Sequence, residues 1–339
     1  MAMFSLQRFG AARGRKPPSE LLGLDFGGSG IKAVRLRRAN GHVSLVRAAC
    51  FERGDGPEIT RPALPRECMA HYSALALSAR RATIRILNLP AHLGGEEERR
   101  AHVREHMGLG DDHRLGFAAL SAPKARAETR ALAVGLPDAE ARAALDLFSE
   151  GPPAPYSLEV SGLSALTAFV QGPGRRHEQA AVGVIESGAC LTIMALFHNG
   201  APVLIRKFDL GVMAVSDRVQ KQLGVDAETA RHILADGSFD VSQPVRDVLD
   251  PFLRQLILSR EFVERREGCR IERVYLSGGM CLSRFWADEI SRVGGITTEC
   301  WDPFEGMTLA EGALPADLEG QRSRFTAAVG ACLGAWEAA

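Results

Sequence analysis

Three apolar runs, each about a strand in length, stand close together near the start of the chain. LLGLDF (21–26) is almost continuously apolar and reads as a buried strand. IKAVRLR (31–37) alternates apolar and polar positions and reads as a second strand. The Asn40-Gly41 pair is a strong hairpin signal, and HVSLVRAA (42–49) follows it as a third. The pattern predicts an antiparallel three-stranded meander whose first turn is rich in glycine.

Residues 50–80 show no regular period. TIRILNLP (83–90) is a strand stopped by Pro90. EEERRAHVREHMGL (96–109) is a helix with acids at its start and bases beyond, the order that the helix dipole favours. ALAVGLP (131–137) is a strand, and the helix DAEARAALDLFSE (138–150) opens on Asp138, a candidate cap. GPPAP (151–155) punctuates the end of this block.

A second meander follows. QAAVGVIESG runs into a turn, ACLTIMALF ends at His198-Asn199-Gly200, and PVLIRKFDLG is the third strand. Asp25 stands at the first turn of the first meander and Glu186 at that of the second, 161 positions later. The repeated order predicts two duplicated α/β lobes. Beyond it, Val212, Val215, Val219 and Leu223 define one face of a helix over 212–224, and Asp226 caps the next. A long helix over 245–267 starts or kinks near Pro251. RVYLSGGM (273–280) is a strand entering a Gly-Gly turn, ITTECW is the last strand, and RFTAAVGACLGAWEA (324–338) is a helix of small residues.

Composition narrows the function. Of 339 residues, 46% are hydrophobic and 24% charged, ordinary for a globular protein with sizeable cores. The 41 basic and 41 acidic side chains balance, so no nucleic-acid-binding stripe is indicated. The seven cysteines form no CxxC pair, which argues against a zinc ribbon or a disulfide framework. Residues 1–20 read as a flexible basic lead, too polar for a secretory signal and too weakly basic to anchor the chain to a membrane. No window approaches the roughly 18 apolar residues that a membrane span needs.

The chemistry gathers at three glycine-rich turns, each after a strand: 25–30, 186–189 and 277–279. Glycine lets backbone N–H groups approach phosphate oxygens. An acid at the end of a strand can hold magnesium between phosphates, which makes Asp25 and Glu186 candidate metal ligands. Lys32 either reaches a phosphate or faces solvent.

These motifs resemble the actin-like ATPase superfamily, with its ribonuclease H-like fold, and within it the PilM-like proteins of type IV pilus assembly. LLGLDFGGSGIKAVRL resembles the family's first phosphate hairpin and AVGVIESGACLTIMALFHNGAPVLIRKFDLG its second. VYLSGGM and WDPFEGM resemble the adenosine motif and the closing segment, and TAAVGACLGAWE the last helix. The resemblance implies ATP and Mg2+ in an interlobe cleft, with Asp25, Gly27, Gly28, Ser29, Gly30, Lys32, Glu186, Gly188, Gly211, Gly278 and Gly279 around them. It implies a first lobe at 21–80 and 152–179, an inserted subdomain like that of FtsA and PilM at 81–151, a second lobe at 180–220 and 270–323, its helical subdomain at 221–269, and a closing helix at 324–339. It also implies a cytoplasmic scaffold recruited to the inner membrane through the tail of a PilN-like protein, alongside other pilus or secretion platform proteins.

The chain departs from the family pattern in its second half. Glu186 replaces the usual aspartate, Cys190-Leu191 replaces small hydroxyl residues, Val212 follows Gly211 where a second glycine is usual, and Met280 follows Gly278-Gly279. A carboxylate displaced by about 1 Å can cost roughly a hundredfold in rate, so slow hydrolysis or none is expected, with loss of nucleotide binding altogether as the further alternative. A sugar kinase of the same superfamily is the alternative, because LDFGGSGIKA also resembles a glucokinase phosphate motif, but no asparagine–aspartate sugar motif accompanies it. An FtsA-like division protein is a third reading, without that family's terminal amphipathic helix. His102-Val103-Arg104-Glu105-His106 spells an inverted zinc-protease signature, yet it sits in a heavily charged helix that reads as a solvated face.

Overall fold

The computed structural model describes residues 7–8, 17–52, 60–120, 128–236 and 239–337. Most of the basic lead expected at 1–20 lies outside them. The chain forms two compact units, one of residues 1–174 with 303–339 and the other of residues 175–302.

In the first unit, β1 (Gln7–Arg8) is followed by the expected meander, β2 (Glu20–Gly27), β3 (Gly30–Ala39) and β4 (His42–Phe51). Gly27 pairs with Gly30, which leaves Gly28-Ser29 as a two-residue turn. The unpatterned stretch contains a strand, β5 (Tyr72–Leu77), parallel to β2. Ser73 to Leu77 are all buried. A strand covered on both faces shows no alternation, so SALAL carries no strand period.

The inserted block is a three-stranded antiparallel sheet with two helices: β6 (Thr83–Leu89), α1 (Glu96–Met107), β7 (His113–Ala119), β8 (Thr129–Pro137) and α2 (Asp138–Asp146), in strand order β6-β8-β7. Val103 and Met107, one turn apart on α1, pack with Leu89, Leu115, Ala131 and Ala133. β7 was not legible, since Gly116 interrupts it and charged residues precede it. Asp138 does not cap α2. Pro137 holds the cap position, and the Asp138 carboxylate accepts from Arg114 at 2.5 Å and from Arg142. β9 (Ala154–Val160) then returns parallel to β5, and α3 (Ser161–Gln171) follows.

The second unit repeats the plan. β10 (Ala181–Ser187), β11 (Thr192–His198) and β12 (Ala201–Phe208) form the meander. Helices α4 (Val212–Leu223), α5 (Ala227–Asp236) and α6 (Ser242–Glu267) lead to β13 (Ile271–Gly278), α7 (Arg284–Gly294) and β14 (Thr297–Cys300). Val215 and Val219 of α4 are buried, but Leu223 is exposed. Asp226 caps α5 as expected, its carboxylate accepting from the Thr229 amide at 2.8 Å. α6 starts at Ser242 and continues through Pro251 rather than starting there.

The chain then returns to the first unit. β15 (Thr308–Leu309) pairs with β4, so the stretch 303–323, assigned from sequence to the second lobe, belongs to the first unit. α8 (Thr326–Glu337) packs on α3 and on β2 and β5, and it is buried at every position from Thr326 to Trp336. A β-carbon at Gly330 would lie 1.7 Å from the Ser164 carbonyl, so the two helices meet backbone to backbone there.

The two sheets share one strand order. The first runs β9-β5-β2-β3-β4 between its short edge strands, and the second runs β14-β13-β10-β11-β12. In both, an antiparallel meander is extended by two parallel strands on the side of its first strand. The duplication expected from the two meanders is present strand for strand.

Candidate functional site

Asp25 and Lys32 face each other across the β2–β3 ladder. Both side chains are buried, at 7% and 6% exposure. The Asp25 Oδ1 accepts from the Ser161 hydroxyl at 2.6 Å, at the first residue of α3. Burial pushes the Asp25 carboxyl above its usual range, against the pull of Lys32, Ser161 and Arg324. The Lys32 ammonium does not face solvent. It folds back to donate to Ser29 Oγ at 3.1 Å and to the Gly30 carbonyl at 3.2 Å. A β-carbon at Gly27 would sit 2.9 Å from Lys32 Nζ and 3.6 Å from Asp25 Oδ2, so glycine at 27 leaves room for the pair.

This set of residues suits an anion better than a resident divalent cation. Magnesium is held by one or two carboxylates plus phosphate and water oxygens. Here the one carboxylate of the turn already has an ammonium and a hydroxyl beside it. A divalent ion at Asp25 would be repelled by Lys32. Among the described residues, no three His, Cys, Asp or Glu side chains are grouped to hold a metal. A glycine turn with an ammonium at its base is the chemistry of a phosphate site.

The second unit brings Glu186, Gly188, Gly211, Gly278 and Gly279 together. Gly278 has φ 89° and lies beside Ser187 in the parallel β10–β13 ladder. A β-carbon there would meet the Ser187 carbonyl at 2.3 Å and Glu186 Oε1 at 3.0 Å. Gly279 faces a methyl of Val212 at 3.4 Å from its β-carbon position. At Gly211 a β-carbon would lie 2.4 Å from the Ala189 carbonyl, so the start of α4 is pressed against the turn after β10.

That close approach has an electrostatic effect. The first amides of a helix lack partners within it and serve as a ready anion site. In α4 they are taken. Val212 donates to the Gly188 carbonyl at 3.2 Å, Met213 to Ala189 at 2.9 Å and Ala214 to Gly211 at 3.1 Å. Ser187 Oγ and Thr192 Oγ1 are 2.6 Å apart, and Thr192 donates to the Leu210 carbonyl at 2.8 Å, which fixes the turn. The second turn is closed on its own helix.

The family model for the type IV pilus assembly protein PilM matches residues 164–335, just over half of the chain. The chain belongs to the PilM family. A solved chain described as a PilM-PilN type IV pilus biogenesis complex superposes with a TM-score of 0.79 at 20% identity, over 94% of this chain and 99% of that one. With the shared strand order of the two sheets, this gives the actin-like fold. More distant are the ethanolamine utilization protein EutJ from Carboxydothermus hydrogenoformans (TM-score 0.45, 14% identity, 94% and 90% covered) and MreB 5 of Spiroplasma citri bound to AMPPNP (0.45, 12%, 92% and 94%). No curated protein matches the chain in sequence.

Within this PilM-family chain, sequence reasoning missed Ser161 and Arg324 beside Asp25. Both lie far along the chain, and neither belongs to a glycine turn. The one signal for Ser161 was its place at the junction of a strand and a helix in YSLEVSGLSALTAF. On α1, His102 and His106 do share a face, with ring centroids 3.9 Å apart. The His106 ring nitrogen is engaged with the His102 carbonyl at 2.9 Å.

Proposed function

We propose that this chain is a cytoplasmic scaffold of a type IV pilus assembly or type II secretion-like machine. It binds the cytoplasmic tail of a PilN-like inner-membrane protein and carries a nucleotide cleft that does not turn over efficiently. Membership of the PilM family supports the pilus role, and the description of the superposed complex supports the partner. Among the described residues no helix is long and apolar enough to cross a membrane.

The observation that carries the non-hydrolytic reading is the internal engagement of both turns. Lys32 is committed to Ser29 and Gly30, and the leading amides of α4 are committed to Gly188 and Ala189. Catalysis of phosphoryl transfer is chiefly positioning and charge stabilisation. Donors already satisfied within the protein are poor at either. In the first unit Asp25, Gly27, Gly28, Ser29, Gly30 and Lys32 are the residues proposed to bind nucleotide, and in the second unit Glu186, Gly188, Gly211, Gly278 and Gly279.

Calorimetry tests both halves. A peptide of the PilN-like cytoplasmic tail should bind the full chain, and ATP should change that affinity if nucleotide favours one state of the protein. ATP should bind with little dependence on magnesium, and Lys32→Met should weaken it. No peptide binding with or without ATP would overturn the scaffold reading, as would ADP release that depends on added hexose.

A further inference from the structure

We propose that Cys281 and Cys300 form a redox pair that peroxide closes into an intramolecular disulfide, fastening the turn after Gly278-Gly279 to the end of β14. Cys281 lies in the short 3-10 turn Gly279–Leu282, and Cys300 is the last residue of β14. β13 and β14 are parallel, Leu276 is the ladder partner of Cys300, and the Trp301 amide donates to the Leu276 carbonyl at 3.2 Å. This register brings the two cysteines together. The Cys300 thiol is directed at the Cys281 carbonyl, its Sγ 3.9 Å from the oxygen.

The pair is graded for the chemistry. Cys300 is exposed and Cys281 half-buried. The hydrogen bond from Cys281 holds the Cys300 thiol below its ordinary range, against partial burial. Burial instead pushes the thiols of Cys50, Cys68, Cys269 and Cys332 up. The thiolate is the nucleophile, so the exposed, hydrogen-bonded cysteine reacts first. Cys300 thiolate attacks one oxygen of hydrogen peroxide, the O–O bond breaks, and sulfenic acid and hydroxide result. The Cys281 thiolate then attacks the sulfenic sulfur, the S–O bond breaks, and hydroxide leaves as the disulfide forms; the two protons that the thiols gave up convert the two hydroxides to water. Two thiols are oxidised by two electrons and one peroxide is reduced to two waters. Disulfides in a reducing compartment are usually transient and redox-sensing, which suits an exposed pair.

The test uses the purified full chain, titrated with hydrogen peroxide, alkylated and mapped by mass spectrometry. A linked Cys281–Cys300 peptide should appear before oxidation of any other cysteine and vanish with a thiol reductant. In Cys281→Ser, Cys300 should accumulate as a sulfenic acid that dimedone labels. In Cys300→Ser, Cys281 should stay reduced at the same dose. In the untreated wild type, Cys300 should alkylate about tenfold faster than the buried Cys68 or Cys332. A covalent dimer through Cys300, prior oxidation of another cysteine, or no linked peptide would overturn the proposal. Because the linked peptide is read in the wild type, the result stands even if a serine variant folds poorly.

Discussion

The Lys32 ammonium lies over Gly27 and balances Asp25, its partner across the β2–β3 ladder, while donating to Ser29 and Gly30. A buried carboxylate and a buried ammonium thus share one turn. Removing Lys32 takes away the stronger of the two positive charges that act on Asp25.

Lys32→Met should therefore destabilise the protein by about 3 kcal/mol in urea unfolding, the range for a broken buried pair. Asp25→Asn with Lys32→Met should cost less than the sum of the single changes. Additive costs in that cycle would show that the pair is not coupled.

Gly211 and Gly188 differ sharply in what a methyl group would meet. At Gly211 it strikes the Ala189 carbonyl at 2.4 Å, and at Gly188 it makes an ordinary contact with the Leu191 carbonyl at 3.5 Å. Gly211→Ala should cost about 2 kcal/mol and speed hydrogen exchange at the Val212 and Met213 amides. Gly188→Ala should leave those amides protected.

Gly330→Ala should be among the most damaging single substitutions in the first unit. Its methyl would overlap the Ser164 carbonyl, and both helices are buried backbone to backbone at that point. A loss of about 3 kcal/mol or more is expected. Gly320→Ala, where nothing lies within 4 Å, should be neutral in the same thermal melt.

Glu159 on β9 is 1% exposed, accepts from Ser164 Oγ at 2.7 Å, and has no hydrogen-bond partner at Oε1. Burial raises its carboxyl well above the ordinary 4.5, against the Ser164 hydrogen bond. A raised folded value means that the unfolded chain ionises first as pH rises. The stability contribution is complete below 4.5 and is lost as pH climbs through the folded value. Glu159→Gln keeps the shape and removes the titration. Its unfolding midpoint should fall less than that of the wild type as pH rises above 4.5. Parallel curves for the two proteins would refute the assignment.

Much of the fold was legible because a meander writes itself in the sequence. Alternating IKAVRLR and the Asn40-Gly41 turn mark one, and His198-Asn199-Gly200 marks the other. Both Asn40 and Asn199 take positive φ, as such turns require. β5 left no period because both its faces are covered, and β7 is broken by a glycine. The loss of β7 also explains the misreading of Asp138. Its carboxylate serves Arg114, which stands on the strand that the pattern did not show. The glycine turns of the site were legible, but their internal satisfaction was not. Lysine is almost never fully buried without a partner, and nothing local reports that Lys32 has one. The hydroxyl that completes Asp25 lies 136 residues away.

α8 makes the first unit wait for the end of the chain. Its positions from Thr326 to Trp336 fill the space over β2, β5 and α3, all of which are synthesised much earlier. At roughly 5–20 residues per second, tens of seconds separate β2 from α8 on a ribosome. The second unit is continuous in sequence, and the last strand of its sheet, β14, ends at Cys300, before α8 begins at Thr326. The order of assembly is therefore inverted with respect to the order of synthesis. The half of the molecule that begins first is finished last, and until then the apolar faces of β2 and β5 depend on the nascent chain, or on a chaperone, to stay out of water.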